Sequence, residues 1–416
     1  MNRIIAHIDF DSFFASCEQQ FNPILRGKPF GVTATNGRTC IIAASREAKK
    51  LGIPSVTRVW EAQKICPTII TVPAQFEKYW EISQKFLNIC KDFSPYVELF
   101  SLDEVFIDLT STENLFGGSY RIIETIKKRI ESEIGEYITV SVGLSHNRLL
   151  AKLASGLNKP NGFMEIKQEN LESVYGRVKL SDFCGIGQAI EKRLNKIGVY
   201  TPLQLRGASL NELISEFKDV EGHFLKNLGL GIDESEVVPY YLPDEVKSVG
   251  RNYCLPHNEH DQRKILQNVF ELCEEVGIKL RRLNKKAKTI GFYLSGEETF
   301  HGRKTITEYV DRGSEIFNLC KELYDEWKPS MVRQISVWAG NLEDSNNLTL
   351  PLFSDYSKQE KIQKIRDVIN DRFGDHTIGN AFLLRGPNLK TVPNGYMADK
   401  YEREKLVKEF HKAHTI

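Results

Sequence analysis

The chain has 416 residues, of which 41% are hydrophobic and 27% charged, and its formal net charge is +1. This length exceeds what one hydrophobic core organises and predicts roughly two to four globular domains. The balanced charge excludes a basic field over the whole molecule, so binding of a polyanion would depend on local patches. The eight cysteines include no CxxC pair, which argues against a disulfide framework or a structural zinc site.

The first part of the sequence, up to about Ile166, alternates predicted strands with predicted helices. The stretch "RIIAHIDF" has the pattern of a buried strand, and the helix after it has Asp11 as its expected N-cap. Residues 97–100 and 105–109 are predicted to form a β-hairpin. The other predicted elements are short strands on either side of Asn36-Gly37, helices at 46–52, 76–93, 120–134 and 147–157, and a strand at 138–145. This alternation is typical of an α/β layer.

The later part of the sequence has a different character. From Gly176 to Gly231 it predicts short helices with glycine-rich turns, followed by an extended linker at 242–253. Strands such as 288–294 and 333–340 then alternate with long helices at about 261–283 and 306–327, which predicts a four-stranded, two-helix α+β domain. A break rich in Asn and Asp, a charged helix from about 358 to 373 and a polar tail follow. The predicted fold class is therefore a multidomain combination of α/β and α+β units.

No apolar run is long enough to suggest a membrane protein. The run near the N-terminus is too short for a signal peptide, and no later run reaches the length of a membrane span. We therefore expect a cytoplasmic protein, associated with the nucleoid if the source is prokaryotic, that acts without a membrane.

Three acidic residues are predicted to gather at one edge of a sheet. Asp9 ends the first strand, and Asp103 and Glu104 lie in the short gap of the hairpin. Neighbouring carboxylates repel each other unless cations lie among them, and oxygen ligands without His or Cys favour Mg²⁺ or Mn²⁺ over Zn²⁺. Two such ions suit in-line phosphoryl or nucleotidyl transfer. The alternative, acids placed in a turn for solubility, stays open at this point.

Basic residues suited to an anionic ligand occur near two predicted helix ends. "SREAKKLG" places Arg46 and Lys49 on one helical face, and Lys159 follows a helix in "LNKPNG". Each of these residues alone is ordinarily a solvated surface charge. Together with a magnesium cluster, they predict a triphosphate-binding site.

Five motifs occur in one order along the chain: "HIDFDSFFASCE", "AASREAKKLGI", "SLDE", "VGLSHNRLLAKLASGLNKPNG" and "FCGIGQAIEKRLNKIGV". With this combination the sequence resembles the Y-family DNA polymerases, translesion enzymes that include bacterial DNA polymerase IV and the catalytic subunit of polymerase V. The resemblance extends from about Asn2 to about Gly340. It implies a right-hand fold with a palm at 1–17 and 77–166, fingers at 18–76, a helical thumb at 167–233, a linker at 234–246, a little finger at 247–341 and a C-terminal extension at 342–416.

The resemblance also implies roles for individual residues. Asp9, Asp103 and Glu104 match the catalytic, metal-binding carboxylates, and Phe10 matches the residue whose backbone carbonyl joins them. Phe14 matches the steric gate, an aromatic ring that leaves no room for the 2′-hydroxyl of a ribonucleotide. Arg46 and Lys49 lie where many family members have Tyr and Arg, so the geometry of the phosphate contacts is expected to differ. The residues expected to contact the nucleotide are Phe13, Phe14, Ser45, Arg46, Lys49 and Lys159.

Two further stretches predict contacts with DNA. "CGIGQAIEKRLNKIGV" has the helix-hairpin-helix pattern, in which the backbone amides of Gly185, Ile186 and Gly187 would bind a phosphate; an ordinary helix-turn-helix packing unit is the alternative. "KLRRLNKKAK" has six basic residues in ten positions and predicts a phosphate-binding surface with salt-dependent affinity, the alternative being a solvated face. The residues expected on that surface are Arg251, Arg282, Lys285, Lys286 and Arg303.

The segment "LTLPLF" ends in Leu352-Phe353, similar to the short motif with which many family members bind the sliding clamp. Thr349 stands where that motif starts with Gln. Docking on the clamp and packing against the C-terminal helix are both ways to cover this apolar pair.

The expected function is a template-directed DNA polymerase that adds dNTPs to a primer 3′-hydroxyl, with low fidelity and past damaged bases. The expected cofactors are Mg²⁺ ions, two per active site, for which Mn²⁺ can substitute. The expected partners are primer–template DNA, dNTP and the sliding clamp, with the protein acting as a monomer. A metal-dependent DNA nuclease is one alternative, but it needs neither Lys159 nor Phe14. A non-catalytic DNA-binding scaffold is another, but it would tolerate loss of the three acids.

Overall fold

The computed structural model describes residues 3–34, 40–242, 245–348, 356–374 and 376–384. The chain divides into two compact units, the first containing the described residues up to 242 and the second those from 245 onward. Within these ranges, no helix has both the length and the apolar character needed to traverse a lipid bilayer.

The first unit is a mixed α/β structure. Its elements in chain order are β1 (Ile5–Phe10), α1 (Phe13–Phe21), β2 (Phe30–Thr33), β3 (Ile41–Ala44), α2 (Arg46–Lys50), α3 (Val59–Ile65), β4 (Ile70–Pro73), α4 (Phe76–Lys91), β5 (Val97–Leu99), β6 (Glu104–Asp108), α5 (Ser119–Glu133), β7 (Val140–Ser145), α6 (Arg148–Leu157), β8 (Phe163–Ile166), α7 (Leu171–Tyr175), α8 (Gln188–Lys196), α9 (Pro202–Gly207), α10 (Leu210–Phe217) and α11 (Asp219–Leu230).

A five-stranded sheet in the order β5-β6-β1-β7-β8 forms the centre of this unit. β1 pairs antiparallel with both β6 and β7, and its residues Ile5 and Ile8 are completely buried. A Cβ atom at Gly143 in β7 would collide with the Ala151 carbonyl oxygen and the Ser155 amide nitrogen. Glycine at this position therefore lets α6 lie directly on β7, which brings α6 side chains next to β1.

Two smaller groups of elements complete the first unit. β3, β2 and β4 form a three-stranded sheet in that order, with β2 antiparallel to β3 and parallel to β4. The short helices α7 to α11 surround a separate apolar core that contains Leu180, Leu194, Leu213 and Leu225. Short helices depend on such packing, since isolated helices of this length are marginal in water.

The second unit confirms the predicted four-stranded, two-helix α+β domain and adds a third helix. Its strands have the order β11-β10-β12-β9 and are all antiparallel. The apolar faces of its two long helices pack on this sheet. Its elements in chain order are β9 (Ser248–Glu259), α12 (Gln262–Arg282), β10 (Lys285–Gly296), β11 (Thr299–Val310), α13 (Gly313–Trp327), β12 (Val332–Asp344) and α14 (Tyr356–Phe373).

The segment 242–253, predicted as an extended linker entering a new unit, continues as strand β9 from Ser248. Two other predictions of local structure are wrong. The helix expected at 306–327 begins only at Gly313, because residues 299–310 continue as a strand paired with β10. Asp11 does not cap α1: Ser12 is the N-cap residue, and the Asp11 carboxylate is buried under hydrogen bonds from Thr139, Ser141 and the Asn161 amide.

Candidate active site

Asp9 and Glu104 lie directly opposite each other in the antiparallel pair of β1 and β6. Side chains at directly opposed positions share one face of a sheet, so the two carboxylates are neighbours. The amide of Phe10 donates a 2.9 Å hydrogen bond to the backbone oxygen of Asp103, which fixes the third acid at the same end of the sheet. The tertiary structure thus brings Asp9 beside Glu104, far later in the sequence, and places Asp103 at the same end of the sheet.

Two lysines of the neighbouring α6 and its C-terminal turn meet these acids. Lys152 forms an ion pair with Glu104, and Lys159 forms one with Asp9. All four side chains are partly shielded from water, with 13–35% of their surface exposed. The positive charge that makes the acidic group tolerable is therefore supplied in part by the protein itself.

A buried histidine, His7, contacts Glu104 and orients its carboxylate. His7 is inaccessible to water, and its Nε2 lies 3.0 Å from Glu104 Oε2 while its Nδ1 lies 2.7 Å from Ser155 Oγ. Potential ligand atoms of His7, Asp9 and Glu104 all lie within 4.8 Å of one another. Because both ring nitrogens of His7 already have partners, this side chain positions the Glu104 carboxylate.

The three carboxylates differ in how their charge is stabilised. Burial raises the pKa of Asp9 although Lys159 acts against it, and burial raises the pKa of Asp103 despite a 2.6 Å hydrogen bond from the Ser101 hydroxyl. Burial also disfavours the ionised Glu104, but His7 and Lys152 outweigh it and lower its pKa to about 2. Asp9 and Asp103 thus lack full compensation of charge within the protein.

This donor set fits a divalent cation. It offers partly buried carboxylate oxygens, and two of these carboxylates are ionised more easily when positive charge is added beside them. Hard oxygen donors of this kind are the ligands that Mg²⁺ and Mn²⁺ prefer.

The residues around α2 that are predicted to contact the nucleotide include Arg46 and Lys49, which form a cluster of cations with Lys159. Ser45 is buried and caps α2, accepting from the Ala48 amide at 3.1 Å. Arg46 donates to Thr139 Oγ1 at 2.5 Å, and Lys49 Nζ donates to Ser12 Oγ at 2.8 Å. Burial and the charge of Lys159 lower the pKa of Lys49, so the cations lie close enough to repel each other. An anion among them would relieve this repulsion.

The two adjacent phenylalanines of α1 have different surroundings. Phe13 is buried and stacks on Phe10 with ring centroids 4.7 Å apart. Phe14 is only partly buried and stacks on Tyr79, with centroids 4.5 Å apart and ring planes inclined by 15°. The Tyr79 hydroxyl donates a 2.6 Å hydrogen bond to the buried Glu18. The position of the Phe14 ring is therefore fixed by its contact with Tyr79.

The predicted DNA contacts in the first unit lie at the start of α8. Gly185 has a φ of +101°, a conformation that L side chains rarely adopt, and a Cβ there would also press on Phe224. Ile186 is buried, and Gly187 is the N-cap of α8. In this turn the two glycines are exposed and the Ile186 side chain is buried, so the backbone is accessible to a DNA phosphate.

The predicted DNA contacts in the second unit are mostly engaged within that unit. Arg251 lies 3.0 Å from Glu275, Arg282 lies 2.8 Å from Asp371, and Lys285 lies 3.5 Å from Glu245. Lys286 is buried 3.6 Å from Asp311, and Arg303 on β11 is exposed. The proposed clamp motif, Leu352 and Phe353, lies outside the described residues.

Several side chains of this site were missed in the sequence. His7 stands two positions before Asp9, and alternation along a strand places the two on the same face. Lys152 and Ser155 lie three apart on α6 and so share a helical face, but which strand they meet depends on the packing of α6. Glu18 and Tyr79 carry no local signal, since they are brought together by contact between α1 and α4.

The chain is similar to known proteins over most of its length. Residues 8–156 match the model of the impB/mucB/samB family, and residues 246–352 match that of the impB/mucB/samB family C-terminal domain. DNA polymerase IV of Staphylococcus haemolyticus is 36% identical over 358 residues, which cover 84% of this chain and 98% of that protein. DNA polymerase IV of Clostridium perfringens strain SM101 is 34% identical over 349 residues, covering 83% and 96% respectively.

Among solved structures, a Y-family DNA polymerase chimera superposes with a TM-score of 0.71 and 26% sequence identity. The match covers 81% of this chain and 98% of the chimera. The family models, the polymerase IV relatives and this structure lead to one conclusion: the chain belongs to the impB/mucB/samB family of Y-family DNA polymerases.

Proposed function

We propose that this protein is a template-directed DNA polymerase that extends a primer 3′-hydroxyl with dNTPs and carries out low-fidelity synthesis past damaged bases. The observation that carries the proposal is the direct pairing of Asp9 with Glu104, next to Asp103 and with Lys159 on Asp9. Membership of the Y-family and the polymerase IV relatives support it.

Enzymes of this family are metal-dependent, and the acidic group of this chain fits that requirement. We assign Asp9, Asp103, Glu104 and the Phe10 carbonyl as the ligands, and Mg²⁺ as the cofactor, with two ions bound and Mn²⁺ able to substitute. When bound, the ions activate the primer hydroxyl and neutralise the triphosphate and the leaving pyrophosphate.

The residues of the chain contribute position and charge rather than a dedicated base. His7 and Lys152 keep Glu104 ionised and oriented, while Ser101 orients Asp103. Lys159, Lys49 and Arg46 provide the positive surroundings of a triphosphate, with Ser45 fixing the start of α2. Holding the reacting groups in place and stabilising their charge lowers the barrier without a proton-accepting side chain.

The sugar of the incoming nucleotide is selected by Phe14 in this proposal. The Phe14 ring would occupy the space of a 2′-hydroxyl. The stacked Tyr79 ring prevents the Phe14 ring from moving out of that space. Phe13 supports this region from the core, where it stacks on Phe10.

For DNA binding we propose a palm, fingers and thumb in the first unit and a little finger in the second, with the boundaries predicted from the sequence. The Gly185–Gly187 turn would bind a backbone phosphate, and Arg303 is the exposed member of the predicted little-finger set. Arg251, Arg282, Lys285 and Lys286 would contribute only after exchanging an intramolecular acid for a phosphate. Contact of Leu352-Phe353 with the sliding clamp, action as a monomer and a cytoplasmic location complete the proposal.

Primer extension tests this function directly. The purified protein receives a labelled primer on undamaged and adduct-bearing templates, with dNTPs and Mg²⁺, Mn²⁺ or a chelator. We expect extension on both templates with either metal and none with the chelator. Metal-dependent shortening of the primer would instead identify a nuclease, and DNA binding without either reaction would identify a scaffold.

A further inference from the structure

α14 lies beyond the stretch matched by the family's C-terminal domain, which ends at residue 352. It is fixed to α12 by ion pairs between arginines and carboxylates. Arg281 forms a bidentate pair with Asp367 at 2.6 and 2.8 Å, Arg282 pairs with Asp371 at 2.8 Å, and Arg366 pairs with Glu274 at 2.5 Å. Bidentate, partly buried pairs of this kind define orientation well.

The segment after α14 adds apolar and backbone anchors. The Phe382 ring packs against Phe270 and Phe317, with centroids 5.8 and 6.0 Å away, and Gln267 donates a 2.7 Å hydrogen bond to the Phe382 carbonyl. Asn370 of α14 is buried and accepts from the Ile378 amide at 2.8 Å. The described part of this extension is therefore anchored through residues 366–371 of α14 and through Phe382.

The amphipathicity of α14 is inverted. A surface helix ordinarily turns its apolar stripe toward the core, yet α14 turns Arg366, Asp367 and Asn370 toward α12. Four apolar side chains of α14 point to water, with exposed fractions of 58% for Ile362, 62% for Ile365, 66% for Val368 and 66% for Phe373, while Ile369 is half-buried. Their spacing places them on one side of the helix, and contiguous exposed apolar side chains of this kind mark interaction sites.

The same outward side carries positive charge. Lys358, Lys361, Lys364 and Arg372 are all exposed, whereas two acids of the helix, Asp367 and Asp371, are used inward. Within the described ranges, no carboxylate forms an ion pair with Lys358, Lys361 or Arg372, and Lys364 has only a loose 3.4 Å contact with Glu360. The surface formed by these four cations and four apolar residues is called the α14 outer face below.

The charge of the α14 outer face indicates which kind of molecule could bind there. A second copy of the chain would bring the same cations against each other, because a two-fold contact pairs a patch with itself. The residues after Leu384 contain seven Lys or Arg and four Asp or Glu, so this segment is also basic. A DNA phosphate backbone would match the charge but leave the aliphatic side chains in water.

We propose that the α14 outer face is a docking surface for a partner protein that presents an acidic amphipathic helix. Aliphatic side chains of that helix would cover Ile362, Ile365 and Val368, and its flanking carboxylates would pair with Lys358, Lys361 and Arg372. Packing of one amphipathic helix on another uses an apolar seam with charged flanks for orientation and specificity.

The test uses the full-length protein and synthetic helical probes. One peptide of roughly three heptads has Leu at positions a and d and Glu at e and g, and its matched control has Lys at e and g. We expect fluorescence anisotropy to show binding of the acidic peptide that weakens with salt, and binding of the Lys peptide weaker by about tenfold or more. Equal binding of the two peptides, or none, would overturn the proposal.

Variants locate the binding on the α14 outer face. Ile365→Ser and Lys361→Glu should each weaken binding of the acidic peptide by about tenfold. Thermal unfolding and primer extension should stay unchanged, because both side chains are exposed and far in sequence from the active-site residues. Leu115→Ser, which alters an even more exposed leucine of the first unit, should leave peptide binding unchanged.

Two further measurements address the other occupants. A concentration-dependent dimer that Ile365→Ser abolishes, seen by analytical ultracentrifugation, would make the face a contact between copies and overturn the proposal. Co-sedimentation with vesicles of anionic phospholipid, without binding of the acidic peptide, would overturn it in favour of a membrane surface.

Discussion

Phe14 and Tyr79 stack face to face, with ring centroids 4.5 Å apart and ring planes inclined by 15°. Tyr79 is itself held by the 2.6 Å hydrogen bond from its hydroxyl to Glu18, a carboxylate that also accepts from Gln75 at 3.2 Å. Burial raises the pKa of the Tyr79 hydroxyl, so this group stays a donor at neutral pH. The proposed steric gate thus has a fixed support, and its effect on nucleotide selection can be tested.

Replacing Phe14 by Ala should admit ribonucleotides. Without the ring, a 2′-hydroxyl no longer meets a steric barrier, and the preference for dNTP over rNTP should fall by about a hundredfold, the scale at which pocket shape discriminates. The measurement is the ratio of kcat/KM for matched dNTP and rNTP in primer extension. Phe21→Ala, which removes a half-exposed ring from the end of the same helix, serves as control. Unchanged sugar preference in Phe14→Ala would refute the gate assignment.

Replacing Asp103 by Asn should abolish extension while DNA binding is retained. The change removes one carboxylate from the proposed metal site but keeps the shape of the side chain, and we expect a loss of about a thousandfold or more in kcat. Single-turnover extension and a DNA-binding assay measure the two properties separately. Asp92→Asn alters an exposed acid paired with Arg129 and should keep full activity. A variant of Asp103 that extends primers normally would contradict the metal assignment.

Replacing His7 by Phe should weaken metal use through Glu104. The Phe ring fills the buried space, but the contact with Glu104 Oε2 and that with Ser155 are lost. Loss of a partner that orients a metal ligand costs about 10–100-fold in affinity or activity, so the Mg²⁺ concentration for half-maximal extension should rise. Ser155→Ala removes only the hydrogen bond to His7 Nδ1 and should raise the required Mg²⁺ concentration by a smaller amount. An unchanged Mg²⁺ dependence at normal stability would assign His7 to packing alone.

Replacing Gly143 by Ala should destabilise the first unit. The new Cβ would collide with backbone atoms of α6, which cannot move without displacing Lys152 and Ser155. Overpacking of this kind costs about 3 kcal/mol, measurable as the free energy of unfolding in denaturant. The control is Gly156→Ala in α6 itself, where nothing lies within 4 Å of the added Cβ. This control should be neutral or stabilising by about 0.5–1 kcal/mol, because Ala is the better helix former.

Local patterns predicted much of the fold and the chemical character of the site. Short apolar runs rich in Val, Ile and Phe identified β1 and the strands around Asp103-Glu104, and amphipathic spacing identified α4, α5 and α6 within a few residues. The acids were recognisable because they interrupt apolar runs where an unpaired carboxylate is costly. A continuous strand at 299–310 was missed, because its exposed, Thr-rich pattern has no strong period.

Only the tertiary structure decided which residues meet. The pairing of Asp9 with Glu104, of Lys152 with Glu104 and of Tyr79 with Phe14 joins residues that are far apart in sequence. Asp11 shows the same dependence, because the strand and turn that carry Thr139, Ser141 and Asn161 draw it away from the helix end that it was expected to cap. In α14 the sequence predicted a charged helix, but which side faces the protein was set by arginines on another helix. Local sequence determines backbone conformation and the period of its side chains, whereas partners across the fold depend on packing that no short stretch encodes.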